Sequence, residues 1–262
     1  MVGSKDGYAL VTGASSGIGY ELAKLFAKDG KNVVIVARSQ DKLEDLKNEI
    51  EKKYRTHVRV LVKDLSASNS AEEIYSELEK DSVNVDVLVN NAGFSVWGEF
   101  SKTDWQKEAE MIQVNINSLT YLTKLFIKKM LGDGSMWILN VASGCGFVST
   151  PLESVYCASK SYVIHFSEAL AYELKGSRVT VTCLCPGFTE SLFYKRANME
   201  QSKAWNMKKM DATTVAEVGY AALKEGKVIA IPGVRNRLMP FLLRLLPRSV
   251  PMGRAKRWLE PI

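Results

Sequence analysis

Thr12-Gly13-Ala14-Ser15-Ser16-Gly17-Ile18-Gly19 is the stretch whose reading decides the fold. It joins the short apolar run Tyr8–Val11 to a segment of helical spacing from Gly17 to Asp29. A strand that ends in glycines and continues as a helix makes a tight turn, with unpaired N–H groups and the positive end of a helix dipole at its tip. A pyrophosphate can dock there because no side chain blocks the backbone, and Ser15 and Ser16 add hydroxyl donors. The glycines are spaced four and then two apart, which differs from the order G-x-G-x-x-G. A glycine-rich turn without a ligand is the plain alternative.

Outward from this turn, apolar runs and amphipathic stretches alternate. The strands are read at Tyr8–Val11, Asn32–Ala37, Val58–Val62, Val85–Val89, Met136–Val141, Val179–Leu184 and Val228–Ile231. The second is nearly all apolar, as a strand buried on both faces must be. Helices are read at Gly17–Asp29, Asp41–Tyr54, Ala71–Lys80, Asp104–Met130 and Ser154–Leu174. The long one carries Trp105, Ile112, Ile116, Leu119, Leu122 and Phe126 near helical spacing. Repeated β-α-β with short links predicts one α/β domain over 1–262, a doubly wound, seven-stranded parallel sheet flanked by helices.

Length and composition agree with that reading. Apolar residues make up 46% of 262 and charged residues 24%, enough for a full core and against disorder. Cys145, Cys157, Cys183 and Cys185 form no C-x-x-C pair and lack clustered His, which argues against zinc and for reduced, buried thiols. Met1–Gly7 lacks a signal-peptide pattern, and no apolar run reaches the roughly 18 residues of a membrane span. A cytoplasmic protein is expected. The net charge is +6. The segment from Pro232 to Ile262 holds Arg235, Arg237, Arg244, Arg248, Arg254, Lys256 and Arg257 against the single acid Glu260, so the whole excess lies in this tail. With no recognition motif elsewhere, nucleic acid is not an expected partner.

Tyr156-Cys-Ala-Ser-Lys160 places a phenol and an ammonium one above the other on a helix. A Lys there favours the phenolate, and should draw the Tyr down from its reference pKa of about 10 toward neutral pH. A tuned Tyr can give or take a proton. With a dinucleotide turn on the same chain, the chemistry implied is hydride transfer coupled to proton transfer at a carbonyl or alcohol. Arg38 follows the second strand, where an acid would grip the ribose 2′-hydroxyl of NAD and an Arg can pair with a 2′-phosphate. Ala37 leaves the acid position empty, which favours NADP(H) over NAD(H). Each residue also has a plain structural reading: an ordinary Tyr/Lys helix pair, or a solvated Arg.

Taken in order, Thr12–Gly19, Asp64-Leu65, Asn90-Asn91-Ala92-Gly93, Asn115, Ser143, Tyr156–Lys160 and Pro186-Gly187 resemble the short-chain dehydrogenase/reductase family, closely over about residues 7–190. In look, the nearest branch is bacterial DltE-like and hydroxysteroid-dehydrogenase-type reductases. The resemblance implies a Rossmann fold, in which Gly13, Ser15, Ser16, Gly17, Ile18 and Gly19 meet the phosphates. It implies that Asp64 and Leu65 hold the adenine, and that Asn91, Ala92 and Gly93 lie against the adenosine. Pro186, Gly187 and Thr189 would line the nicotinamide side. Ser143 would bond the substrate oxygen, Tyr156 would be the acid/base, and Lys160 would hold the nicotinamide ribose and lower the Tyr pKa. Asn115 would break its helix locally and hold a water linking Lys160 to solvent. Asn117 competes for that place, and Ser149 and Ser154 compete with Ser143. His57 and His165 are given no role.

Phe188–Met210 is rich in aromatics, Met and Lys, and is read as a substrate-covering segment over 188–212. Phe188 and Phe193, with Phe147, are the expected substrate contacts, and Trp97 and Phe100 would extend an apolar wall. Packing of two short helices on the domain is the alternative. The basic extension 232–262 carries a short apolar run, Arg237–Leu246, that could contact a membrane surface, a second subunit or the substrate entrance. The last two are favoured, within a dimer or tetramer built on the Asp104–Met130 and Ser154–Leu174 helices. The expected function is an NADP(H)-dependent oxidoreductase of a lipophilic ketone or aldehyde. A catalytically silent NADP-binding scaffold and a peripheral membrane ketoreductase of lipid-type substrates are the alternatives.

Overall fold

The computed structural model describes residues 7–130 and 136–262. Met1–Asp6, most of the stretch lacking a signal pattern, lies outside them. Seven parallel strands, β1 (Tyr8–Thr12), β2 (Asn32–Ala37), β3 (Val58–Val62), β4 (Val85–Asn90), β5 (Met136–Val141), β6 (Val179–Leu184) and β7 (Ile229–Ala230), form one sheet in the order 3-2-1-4-5-6-7. The sheet is doubly wound, and the order reverses between β1 and β4. Such a switch point leaves a crevice at the carboxyl ends of the strands.

Alternation along each strand builds two cores. Ala9, Val11, Val33, Ile35, Val87 and Val89 face α1 (Gly17–Lys28), α2 (Gln40–Tyr54) and, later in the chain, Ala212–Lys224, burying Phe26, Leu46 and Leu223 among others. Leu10, Val34, Val36, Leu88, Ile138 and Val181 face the other way, onto Ile74 and Leu78 of α3 (Ser70–Lys80) and onto Leu122 and Phe126. At the opposite rim from the crevice, Lys31 Nζ, just before β2, donates to both carboxylate oxygens of Asp86 on β4 at 2.7 Å, a buried ion pair.

The long helix expected over Asp104–Met130 is three pieces. The segment α4 (Trp105–Ile112) gives way to a π-helical stretch, Gln113–Ser118, before α5 (Leu119–Met130) resumes. Helical spacing of apolar residues does not distinguish the two windings. The extra residue per turn carries Asn115 to a fully buried position. Next come α6 (Ser154–Glu173), the short α7 (Phe193–Arg196) and α8 (Ala212–Lys224). The tail forms α9 (Val234–Leu245) and α10 (Ser249–Leu259). Among the described residues no helix is long and apolar enough to cross a membrane.

Candidate active site

A cavity of about 1210 Å³ opens at the carboxyl ends of β1, β4, β5 and β6. Ligand pockets commonly run to about 300–1,000 Å³, so this one has room for more than a single small molecule.

Its cofactor end is built on backbone contacts. Gly13 and Gly17 have φ of +67° and +61°, in the left-handed region that favours glycine. A Cβ on Gly13 would lie 2.8 Å from Ala92 Cα, and one on Gly19 would lie 2.3 Å from Asn91 Nδ2. The Thr12 hydroxyl ties the turn to the end of β4: it donates to Val89 O at 3.1 Å and accepts from the amides of Asn91 and Ala92 at 3.0 and 3.1 Å. Asn91 Nδ2 donates back to Thr12 O at 2.9 Å. The N-cap of α1, Ser16, makes no side-chain capping bond and the first turn carries no acid, so its amides are available to an anion. The glycine cradle, those free donors and Arg38 on the wall fit a phosphate-bearing dinucleotide.

Gly13, Ser15, Ser16, Gly17, Ile18, Arg38, Asp64, Leu65, Asn91, Ala92 and Gly93 all line the cavity. Gly19 lies beneath it, where it lets α1 approach Asn91. Arg38 Nη1 is 3.6 Å from Asp64 Oδ2, both of them largely exposed. Burial works to raise the Asp64 pKa, but hydrogen bonds from the Ser66 amide and hydroxyl and the charge of Arg38 together hold it below the usual carboxylate value.

At the centre, β5 and α6 bring Ser143, Tyr156 and Lys160 to one wall. The Ser143 oxygen accepts from the Cys145 amide at 3.3 Å, which leaves its O–H to serve as a donor. Its competitors Ser149 and Ser154 are exposed and do not line the cavity. Lys160 Nζ donates to Val141 O at 2.9 Å and lies 5.8 Å from the Tyr156 ring centroid. Burial lowers the Lys160 pKa to about 8. The expected lowering of the Tyr156 pKa is corrected: burial pushes that phenol well above its ordinary value, and Cys145 and Glu153 add to the effect. Spacing brought the two groups together, but burial, which spacing does not report, decides the direction.

Asn115 lies behind this wall rather than on it. Its Nδ2 donates to Phe94 O at 3.1 Å and to Ser159 Oγ at 3.0 Å, and its Oδ1 accepts from the Phe94 amide at 3.2 Å. The amide therefore clamps the loop after β4 to α6, one residue before Lys160. A Cβ on Gly93 would come within 2.9 Å of Asn115 Oδ1 and 3.2 Å of Lys160 Nζ, so glycine there lets the loop pass close. Asn117 is exposed and bonded to Gln113.

The substrate end departs further from expectation. Pro186, Gly187, Phe188, Thr189 and Phe193 line the cavity, and the Phe193 ring lies 5.4 Å from that of Tyr156. Phe147 does not; it packs against the buried cluster that holds Leu119, Val163 and Cys183. Trp97 and Phe100 are also off the wall. Trp97 Nε1 donates to Leu259 O at 2.9 Å, while Phe100 is exposed. In their place the wall takes Met239, Leu243 and Trp258 from α9 and α10. Asn236 presses so closely on Gly187 that a Cβ there would meet its Nδ2 at 2.6 Å.

Sequence reading missed Glu153, a buried carboxyl on the cavity wall one helical turn before Tyr156. It accepts from Ser95 Oγ at 2.5 Å, and burial pushes its pKa up to about 7. An acid three residues ahead of the catalytic-type Tyr was the available signal. His57 and His165 are exposed, away from the cavity.

Comparison with known proteins agrees with this geometry. A profile described as short chain dehydrogenase matches residues 7–202. An uncharacterized oxidoreductase of Staphylococcus saprophyticus is 30% identical over 238 residues, which cover 90% of this chain and 99% of that one. The very-long-chain 3-oxoacyl-CoA reductase of Rattus norvegicus is 31% identical over 249 residues, covering 92% and 78%. The solved short-chain dehydrogenase from Sphingobium yanoikuyae in complex with NADPH superposes with a TM-score of 0.84 at 25% identity, covering 95% and 94%. The chain belongs to the short-chain dehydrogenase family of oxidoreductases.

Proposed function

We propose that the protein is an NADP(H)-dependent oxidoreductase that interconverts a lipophilic ketone or aldehyde and its alcohol. The observation that carries this reading is the gathering of Ser143, Tyr156 and Lys160 on one wall of the cavity whose other end is the glycine turn. When bound, the nicotinamide supplies or accepts the hydride. Tyr156 holds a proton on its phenol at neutral pH and passes it to the substrate oxygen. The Ser143 hydroxyl donates to the same oxygen and fixes its position. Lys160, charged below about pH 8, has its ammonium between the Tyr ring and the Val141 carbonyl, in reach of a ribose. Asn115 acts as a positioning residue, through Ser159 and Phe94. The apolar side chains that line the wall beside these groups, Phe188, Phe193 and Met239, disfavour water there.

NADP(H) is preferred to NAD(H) in this reading because Arg38 can leave the loose contact with Asp64 for a 2′-phosphate. The NADPH held by the relative from Sphingobium yanoikuyae supports that choice. A very-long-chain 3-oxoacyl-CoA reductase among the relatives supports a lipophilic substrate. The narrower likeness to DltE-like and hydroxysteroid-type reductases is kept within the proposal. Along the chain, 7–190 binds cofactor and carries the chemistry, 188–212 covers the substrate and 232–262 completes the far wall, all in one domain. A homo-oligomer is supported by exposed Trp105, Tyr121, Tyr162 and Tyr172 on α4, α5 and α6, and a cytoplasmic location by four free thiols. A silent scaffold is disfavoured by the complete Ser/Tyr/Lys set.

The test is a panel of apolar and polar carbonyls with NADPH or NADH, followed by nicotinamide absorbance, beside fluorescence titration of both cofactors. Apolar carbonyls should be consumed with NADPH, and Arg38→Ala should erase most of the preference for NADPH. Tighter binding of NADH by the wild type would overturn the cofactor reading, and no turnover with any carbonyl or alcohol would favour the scaffold.

A further inference from the structure

The tail helix α9 has two apolar faces. Asn236, Met239 and Leu243 point inward, and all three line the cavity. Val234, Leu238, Phe241 and Leu245, spaced four, three and four apart, form the outer face. Their exposures are 75%, 55%, 64% and 81%, far above what a helix folded only onto its own domain leaves uncovered. Val234, Leu242, Leu246 and Val250 belong to both faces, being exposed and on the cavity wall. The outer face thus runs without a break into the mouth of the cavity.

The surroundings of this face are basic. Arg235 and Arg237 flank it on opposite sides by their helix positions, and exposed Arg248, Lys256 and Arg257 follow in and after the next turn of chain. The segment carries the whole net charge of the protein, +6. Two copies meeting through this face would set like charges against each other. An anionic, apolar surface satisfies both the leucines and the arginines.

We propose that the outer face of α9 docks on an anionic lipid surface, with Val234, Leu238, Phe241 and Leu245 entering the interface and the arginines on the headgroups. The helix is 12 residues long and lies along the surface rather than through it. Because Leu242 and Leu246, which adjoin this face, open onto the cavity, an apolar substrate dissolved in the lipid meets the cavity mouth directly. That consequence rests on the proposed reductase activity, but the docking does not.

Sedimentation of the full chain with vesicles tests the docking without cofactor or substrate. Wild type should sediment with vesicles of phosphatidylcholine mixed with phosphatidylserine, and weakly with phosphatidylcholine alone. The double variant Phe241→Asp, Leu245→Asp should lose at least about tenfold in partitioning. Arg237→Glu and Arg248→Glu should each cost about fivefold or more, as one cation near an anionic surface does. None of these four residues lines the cavity, so NADPH affinity and thermal unfolding should be unchanged and serve as controls for folding. Equal sedimentation with neutral and anionic vesicles, or variants that sediment like wild type, would overturn the proposal. So would a wild-type dimer that Phe241→Asp dissociates while neither protein sediments, which would assign the face to a second copy.

Discussion

The turn at residues 12–19 and the tail at residues 232–262 border the same cavity under opposite constraints. In the turn, backbone meets backbone: a methyl group on Gly13 or Gly19 has no space to occupy, and the Thr12 and Asn91 side chains are spent on main-chain partners. In the tail, a few side chains such as Asn236 and Leu259 pack on the domain while many others meet open space, and Gly253 of α10 has no neighbour within 4 Å of an added Cβ. One region is specified atom by atom for a ligand shared across a family. The other is specified only by size and polarity, which leaves it free to differ between relatives. The family profile accordingly ends at residue 202, before the tail begins.

The sharpest break between the regions is chemical. Tyr156→Phe keeps the ring against Phe193 but removes the transferable proton, and should lower turnover by at least about 100-fold. NADPH affinity should hold within a few-fold by fluorescence titration. Truncating Met239 to Ala on the tail side should change KM for apolar carbonyls and spare cofactor affinity.

A second test falls on the wall of the cavity that both regions border, at Glu153. In the fold it keeps its proton up to about pH 7, whereas the unfolded chain releases it near the ordinary 4.5. Between those values the folded form binds more protons, so this group's contribution to stability falls as pH rises from about 4.5 through 7. Glu153→Gln keeps an acceptor for Ser95 and removes the ionisation. It should stabilise the protein above pH 7 by up to the order of 3 kcal/mol and change little near pH 4.5, read from urea unfolding at the two pH values. An equal effect at both would show that the carboxyl does not titrate in the fold.

The smallest effects compare glycines. Gly19→Ala places a methyl 2.3 Å from Asn91 Nδ2 and 2.6 Å from Gly13 O. Overpacking of that kind costs about 1–3 kcal/mol, and displacing the turn should weaken NADPH binding as well. Gly253→Ala, in a helix and in open space, should be neutral or stabilise by about 0.5–1 kcal/mol. Urea melts of both variants check the contrast, and equal destabilisation would erase it.

The same contrast explains what was legible in the sequence. Strands buried on both faces, such as β2, read as nearly continuous apolar runs, and β2, β3, β5 and β6 lie where the sequence predicts them. The glycine turn and the Tyr/Lys pair were legible because local geometry dictates them: positive φ at Gly13 and Gly17, and one helical turn from Tyr156 to Lys160. Features set by tertiary packing were not. The π-helical winding at Asn115 leaves the apolar spacing almost unchanged. Phe147, expected as an aromatic of the substrate wall, ends the 3-10 turn Gly144–Phe147 and packs instead against the buried cluster that includes Val163. Helix α10 begins Ser-Val-Pro-Met-Gly, a poor helix sequence. It forms because Pro251 sits in its first turn and because Ala255 and Leu259 are buried. Burial also reversed the direction expected for the Tyr156 pKa.

The central claim, hydride transfer from NADPH with Tyr156 as the proton donor, is tested most directly by isotopic labelling. NADPH carrying deuterium at the transferred C4 position would be mixed with an accepted apolar ketone, and the product analysed by mass spectrometry for the wild type and for Tyr156→Phe. The account predicts alcohol with deuterium on the carbinol carbon from the wild type, and at least about 100-fold less product from a Tyr156→Phe protein that still binds NADPH. Alcohol without the label, or labelled alcohol formed by Tyr156→Phe at a near-normal rate, would contradict it.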